Sequence, residues 1–353
     1  MTAIKNKKRK IWIYILLPLI LITGTLSYYQ LLYKSPRVNS GIVKLESVFK
    51  GHKNLVTAVR FSPDDSLVIT GSVDSSIKIW RRANGEIVRL IRQPEGIAYL
   101  DVSTDGEYAI TGSYDEIARI WRLSDGALMK ELKGSKGTIW TVAFSPDGNL
   151  AASSGDDKMV RLWNTTTGEL LRTLRGHELV VWSLKFSPDG TKLASCSFDH
   201  SIKLWNVADG SLLRDNKEHT EAVVDLDFSH DGKLLASTSD DCTIKIWNVD
   251  NGGLVRTMKV PEHVQAVAFS PDDKYLMTGG RDKTMPGELL QNMFGNSEFN
   301  KGVSARLWDV ATGTLLQTFA EHSNDVMDIA YSHDSKWIAT ASADNTVELW
   351  HFK

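Results

Sequence analysis

Seven tryptophans recur at near-constant intervals along this chain of 353 residues. Trp80, Trp121, Trp163, Trp205, Trp247, Trp308 and Trp350 stand 41, 42, 42, 42, 61 and 42 residues apart. An aspartate precedes six of them by six residues: Asp74, Asp115, Asp157, Asp199, Asp241 and Asp344. One conventional core cannot produce such a beat. It requires one supersecondary unit copied and stacked, each copy burying the apolar face that its neighbour would leave exposed.

Residues 176–217 show the unit most clearly. GHELVVWSLKFSPDG alternates apolar residues through Val181, Leu184 and Phe186, then turns at Ser187-Pro188-Asp189-Gly190. TKLASCSFDHS is a short strand ending in a tight turn at Asp199, and IKLWNVADG a third strand that turns at Asp209-Gly210. SLLRD begins a fourth. Short period-two runs separated by Pro-Asp-Gly and Asp-Gly are antiparallel hairpin signals. Four such strands make one blade of a radial array, which leaves few long edges unpaired. Within a blade, a turn Asp accepts backbone and imidazole hydrogen bonds, while a buried indole N–H needs an acceptor. A His at the blade entrance, a Ser or Thr on the second strand, the Asp and the Trp can therefore satisfy one another.

With these residues in order, the chain from 42 to 353 resembles the WD40-repeat family of β-propellers. The resemblance rests on Gly-His, Ser-Pro-Asp-Gly, the turn Asp and the strand Trp. It implies an all-β fold, a seven-bladed β-propeller of four-stranded antiparallel blades. The His element stands at His52, His177, His219 and His322; Gln93 and Ser135 replace it in repeats two and three, and repeat six has no clear equivalent. The implied structural network comprises His52, Asp74 and Trp80; His177, Asp199 and Trp205; His219, Asp241 and Trp247; and His322, Asp344 and Trp350. These residues hold blades together and perform no chemistry. The sequence stops just after the third strand of repeat seven, and GIVKLESVFKGH (41–52) matches the fourth-strand segment GELLRTLRGH (168–177). The propeller is therefore expected to occupy 41–353, with 42–48 completing blade seven.

The first 40 residues differ in kind. A basic tail (1–10) with Lys5, Lys7, Lys8, Arg9 and Lys10 precedes an uncharged stretch, 11–33, and a linker, 34–40. Twenty or so helical residues span about 30 Å, the thickness of a bilayer core. Trp12, Tyr14, Tyr28, Tyr29 and Tyr33 sit near the ends of the stretch, as interfacial aromatics do. A cleaved signal peptide would have a shorter apolar region and a small-residue cleavage site. The expectation is an uncleaved signal anchor, a transmembrane helix over 11–33 in contact with lipid. Five positive charges before it against Lys34 and Arg37 after it place the N-terminus in the cytoplasm. The propeller is then extracytoplasmic, and periplasmic in a Gram-negative bacterium.

Beyond residue 40 the chain carries 34 basic against 43 acidic residues. An acidic ring lacks the electrostatic footprint of a nucleic-acid binder. No His-x-x-x-His, Gly-x-Ser-x-Gly, Walker loop or Cys-x-x-Cys occurs. The paired aspartates recur at equivalent turn positions, which argues for turn chemistry over a metal site. The chain is therefore expected to be no enzyme and to need no cofactor and no metal. Cys196 and Cys242 fall in different registers and are expected to be unpaired.

The remaining function is binding, with a protein partner. The resemblance implies a contact face built by the blade-entrance loops and the Asp turns, reached by two residues per blade. The first precedes the turn Asp (Val73, Tyr114, Asp156, Phe198, Asp240, Arg281, Ala343). The second lies near the start of the first strand (Thr57, Ala98, Trp140, Trp182, Val224, Gln265, Met327). Tyr114, Trp140, Trp182 and Phe198 thus place aromatics together on blades two to four, as a partner patch or as half-buried packing. In repeat six, 20 extra residues (283–302) separate Asp282 from Trp308. Pro286 can start and Gly295 end a short helix there, with Leu289, Leu290, Met293 and Phe294 on one apolar side. A membrane-anchored scaffold for protein–protein interaction is the leading expectation. A ligand or peptide sensor using the central face, and a structural member of a membrane complex, are the alternatives.

Overall fold

The computed structural model describes residues 38–280 and 304–353. Within them, 28 strands form seven four-stranded antiparallel sheets, the blades of a propeller. Blade one consists of β2 (Val56–Phe61), β3 (Leu67–Ser72), β4 (Ser76–Arg81) and β5 (Ile87–Arg92). Its first three strands are buried almost throughout, whereas β5 turns Ile87, Val88 and Leu90 to solvent. The inner strands face a neighbouring blade on each side, so they carry apolar residues on both faces. One cluster shows the arrangement: Ile69, Ile77, Ile79 and Ile91 pack on Ile97, Leu100, Ala109 and Trp121 of the next blade.

The indole of each strand-three tryptophan donates to a hydroxyl on strand two: Thr70, Thr111, Ser153, Ser195, Ser237, Thr278 and Thr340, in chain order. In four blades that hydroxyl also meets a histidine Nε2. The histidine Nδ1 then reaches the turn Asp: His52–Asp74 at 3.0 Å, His177–Asp199 at 2.9 Å, His219–Asp241 at 2.8 Å and His322–Asp344 at 2.9 Å. A hydroxyl that accepts from Trp gives its own proton to Nε2, so Nδ1–H is the donor to Asp. Burial pushes these carboxyls up, but hydrogen bonds from His and from Ser or Thr hold Asp74, Asp199, Asp241 and Asp344 below the usual range.

Blades without the histidine use other partners. Gln93 accepts from Thr111 at 2.9 Å, and Arg119 grips Asp115 with two N–H groups at 3.0 and 2.7 Å. In blade three Arg161 pairs with Asp157 at 2.7 Å. Blade six places Val260, buried, where those four blades place the histidine ring.

The ring closes on a composite blade in the order β1-β28-β27-β26. Here β1 (Val43–Lys50) lies antiparallel to β28 (Thr346–Phe352), with Leu45 opposite Trp350 and Val48 opposite Glu348. The inner strands are β26 (Val326–Tyr331) and β27 (Trp337–Ser342). Before β1, the chain lies along the outer edge of blade six. Val38 O accepts from Thr318 N at 2.8 Å, and Asn39 bridges Gln317. Gln317 then holds both backbone groups of Val43, at 3.0 and 2.7 Å. The entering segment thus straps blade six to blade seven.

The interruption of blade six falls between strands Tyr275–Gly280 and Ala305–Asp309. The insertion 283–302 lies outside the described residues, with Arg281, Leu289, Leu290, Met293 and Phe294, as does the stretch 11–33. Among the described residues, no helix is long and apolar enough to cross a membrane.

Candidate partner-binding site

In every blade the pairing of the first two strands slips by one residue near the start of the inner strand. The extra residues are Thr57, Ala98, Trp140, Trp182, Val224, Gln265 and Met327. A β-bulge re-aims the side chain it carries. All seven side chains therefore line one mouth of the central channel, around a cavity of about 240 Å³ shared with Tyr114, Ser183 and Asp225.

The aromatics on blades two to four form one continuous stack across this mouth. Tyr114 meets Trp140 edge-on at 5.5 Å between centroids, Trp140 stacks on Trp182 at 4.6 Å, and Trp182 on Phe198 at 5.0 Å. Tyr114 is 38% exposed and the other three are partly exposed, so the stack is neither core nor free surface. Trp140 Nε1 donates to Asp156 Oδ1 at 2.6 Å, and Asp156 Oδ2 accepts from Thr138 N at 2.8 Å. The Trp182 indole N–H has no acceptor among the described residues, which leaves one donor facing the mouth. Val73 and Asp156 also flank the stack, whereas Arg281, Leu289, Leu290, Met293 and Phe294 cannot be located relative to it.

Below the aromatics, polar side chains close the channel wall. Each inner strand is a sheet edge, and its outward N–H groups need acceptors. Neighbouring blades supply them: Asp328 to Val59 N, Asp101 to Phe144 N, Thr141 to Leu184 N, Asp225 to Val267 N and Asp227 to Phe269 N, at 2.8 to 3.0 Å. Arg60 ties two of these carboxylates, Asp101 and Asp328, to the Tyr99 hydroxyl. Asp225 also accepts from Ser183 Oγ at 2.8 Å. Burial pushes its carboxyl up to about 6, against the pull of the Lys185 ammonium. These residues were missed in the sequence, although aspartates inside the otherwise apolar strands VVDLDF and VMDIAY were the available signal.

The opposite mouth is larger, about 490 Å³, and is lined by Arg60, Lys185, Asp227, His230 and Tyr331. Among the described residues, no group of three His, Cys, Asp or Glu side chains could hold a metal ion.

Residues 43–81, 85–122, 126–164, 168–206, 210–248, 252–285 and 313–351 match the family described as "WD domain, G-beta repeat". Similar proteins include "Protein HIRA" of Xenopus laevis, 36% identical over 88 residues, which span 25% of this chain and 9% of that protein. "Periodic tryptophan protein 2" of Arabidopsis thaliana is 31% identical over 90 residues, spanning 26% of this chain and 8% of that protein. "Target of rapamycin complex subunit wat1" of Schizosaccharomyces pombe is 32% identical over 92 residues, spanning 26% and 23%. The matched stretches thus cover less than a quarter of each relative.

Proposed function

For a chain that belongs to the WD40-repeat family, we propose the role of a non-catalytic platform that captures a protein partner on its aromatic mouth. One observation carries this reading: bulged residues from all seven blades converge with the Tyr114–Trp140–Trp182–Phe198 stack on a single opening. Rigid, partly exposed Trp and Tyr side chains supply large contact area at little entropic cost, which is why they dominate interface hot spots. The Trp182 N–H, without an acceptor among the described residues, adds a directional donor. One relative is by its printed name a subunit of a complex, which fits a scaffold.

We further propose that residues 11–33 tether this platform to a bilayer, with the N-terminus cytoplasmic and the ring on the far side. The support is the uncharged run and its basic flank. A C-terminal reporter active only outside the cytoplasm tests it; activity of a cytoplasm-only reporter at the same place overturns it.

The alternative, a small-ligand sensor using this same mouth, is disfavoured by size. A cavity of about 240 Å³ falls below the ~300–1,000 Å³ of typical ligand pockets. The binding test uses the full-length chain in its membrane with a photo-crosslinking residue at Trp182 or, as control, at exposed Leu171 on an outer strand. Discrete protein adducts are expected from position 182 alone, and W140A should abolish them. Equal adducts from both positions, or none from 182, would reject the site.

A further inference from the structure

Two residues before each strand-three tryptophan, six blades carry a cation: Lys78, Arg119, Arg161, Lys203, Lys245 and Arg306. In blades one to three this cation faces the turn aspartate, at 3.5 Å for Lys78 and 2.7 Å for both arginines. The seventh blade breaks the rule with Glu348.

Glu348 is 4% exposed, and its Oε2 has no hydrogen-bond partner among the described residues. That oxygen lies 3.4 Å from His322 Nε2. The Thr340 hydroxyl already serves Nε2 at 2.8 Å while accepting from the Trp350 indole at 3.1 Å, and Asp344 takes Nδ1 at 2.9 Å. With the Thr340 hydroxyl donating to Nε2 and the Nδ1–H spent on Asp344, the ring has no N–H for Glu348. An ionised carboxylate beside it would lack a donor. One proton between the two groups removes the conflict.

Among the described residues, no buried Lys or Arg compensates. The entrance loop contributes Glu321 and His322, and the turn contributes Asp344. Glu348 lies opposite Thr340 on β27 and Val48 on β1; the charged residues flanking Val48, Glu46 and Lys50, are exposed. Burial pushes the Glu348 carboxyl up to about 7; His322 pulls it down, and Glu321 and Asp344 add to the rise.

Glu348 sits on β28, the strand that pairs with β1, and β1 joins the ring to everything N-terminal. We infer that Glu348 and His322 form a proton-operated latch on the β1–β28 seam, closed while one proton is held between them and loosened when it leaves. The inference does not depend on what the aromatic mouth binds. Its direction follows from linkage. The closed seam binds more protons than the open one between the ordinary carboxylate value and about 7. Seam stability therefore falls as pH rises through that window and levels off above it.

Hydrogen exchange of the full-length chain, corrected for the intrinsic rate, tests this at pH 5.5 and 8. The segment 43–50 should lose protection by on the order of ten-fold at the higher pH, while the outer strand Leu170–Leu174 should not change. E348Q, and E348K with the cation of the other blades, should make 43–50 insensitive to pH. If both variants keep the parental pH dependence, or the parent shows none at 43–50, the latch is wrong. A Glu348 carboxyl resonance that titrates below pH 5 also overturns it.

Discussion

The backbone N–H of His333, in blade seven, donates to Asp65 Oδ1 of blade one at 2.9 Å, and the N–H of Asp334 donates to Oδ2 of the same carboxylate at 2.9 Å. His230 and Asp231 use Asp273 in the same way between blades five and six, at 2.7 and 2.9 Å. At the equivalent position Pro63, Pro146 and Pro188 precede Gly106, Gly190 and Gly232 of the following blade, while Pro271 precedes Ser335 and Thr104 precedes Gly148. Proline has no N–H to satisfy and presses its ring forward; a Cβ at Gly106 would stand 2.5 Å from Pro63 Cδ. Where a histidine stands there, the next blade supplies a carboxylate to its N–H. Asp65 and Asp273 hold φ of 57° and 58°, a left-handed conformation that Asp tolerates better than most residues.

Replacing Asp65 by Gly should therefore cost about 1–2 kcal/mol in urea unfolding, the effect of removing the acceptor for two N–H groups. Adding H333P restores the proline–glycine combination, and the double variant should recover much of the loss. Strictly additive costs would refute the pairing rule.

The His–hydroxyl–Asp network predicts unequal effects at His177. H177A strands the Ser195 proton and leaves Asp199 Oδ2 with the Glu178 N–H alone, at a cost of about 2–3 kcal/mol. H177Q should cost roughly half as much, because glutamine at the equivalent Gln93 already accepts from its strand-two hydroxyl. Equal losses would show that the ring is not acting through this bond.

Acid should unfold the propeller through the turn aspartates. Their folded pKa values lie below the ordinary one, so the unfolded chain binds more protons there. The stabilisation is fully present above the ordinary carboxylate value near 4 and is lost as pH falls below it. Thermal midpoints measured from pH 5 to 2.5 should drop, and D199N should flatten the profile. A D199N profile parallel to the parent would contradict the assignment.

At the aromatic mouth, D156A leaves both the Trp140 indole and the Thr138 amide without an acceptor. It should destabilise the domain by about 1–2 kcal/mol and change tryptophan emission as the stack loosens. Unchanged emission would mean that Asp156 does not position Trp140.

Deleting residues 38–50 should destabilise the entire ring, not blade seven alone. Val43 and Phe49 are buried in two different inter-blade clusters, and each contributes ~2 kcal/mol by burial. A truncated chain that melts like the parent would exclude strand-mediated closure.

Much of the architecture was legible because its determinants are local. The Trp interval, the Asp six residues earlier and the Ser-Pro-Asp-Gly turns fix hairpins within a single repeat, and their recurrence gives seven blades. The absence of histidine at 93 and 135 was equally plain, but not the arginines that replace its partnership: Arg119 and Arg161 look like ordinary strand cations. Tyr114, Trp140, Trp182 and Phe198 could be assigned to one face from register alone. Their joining into one stack depended on bulges, which add a residue without leaving a composition signal.

Sequence by itself determined what each repeat does with its own residues: strand, turn, buried Trp and its hydroxyl. Only the tertiary structure decided what passes between repeats, such as Asp65 beneath His333, Asp225 capping Val267 and Gln317 gripping Val43. The reason is physical. Turn chemistry and period-two burial act over a few residues and leave a pattern, whereas contacts across blades join positions 42 or 268 residues apart. At such separations any acceptor of the right reach will do, and closure of the ring selects which one is there.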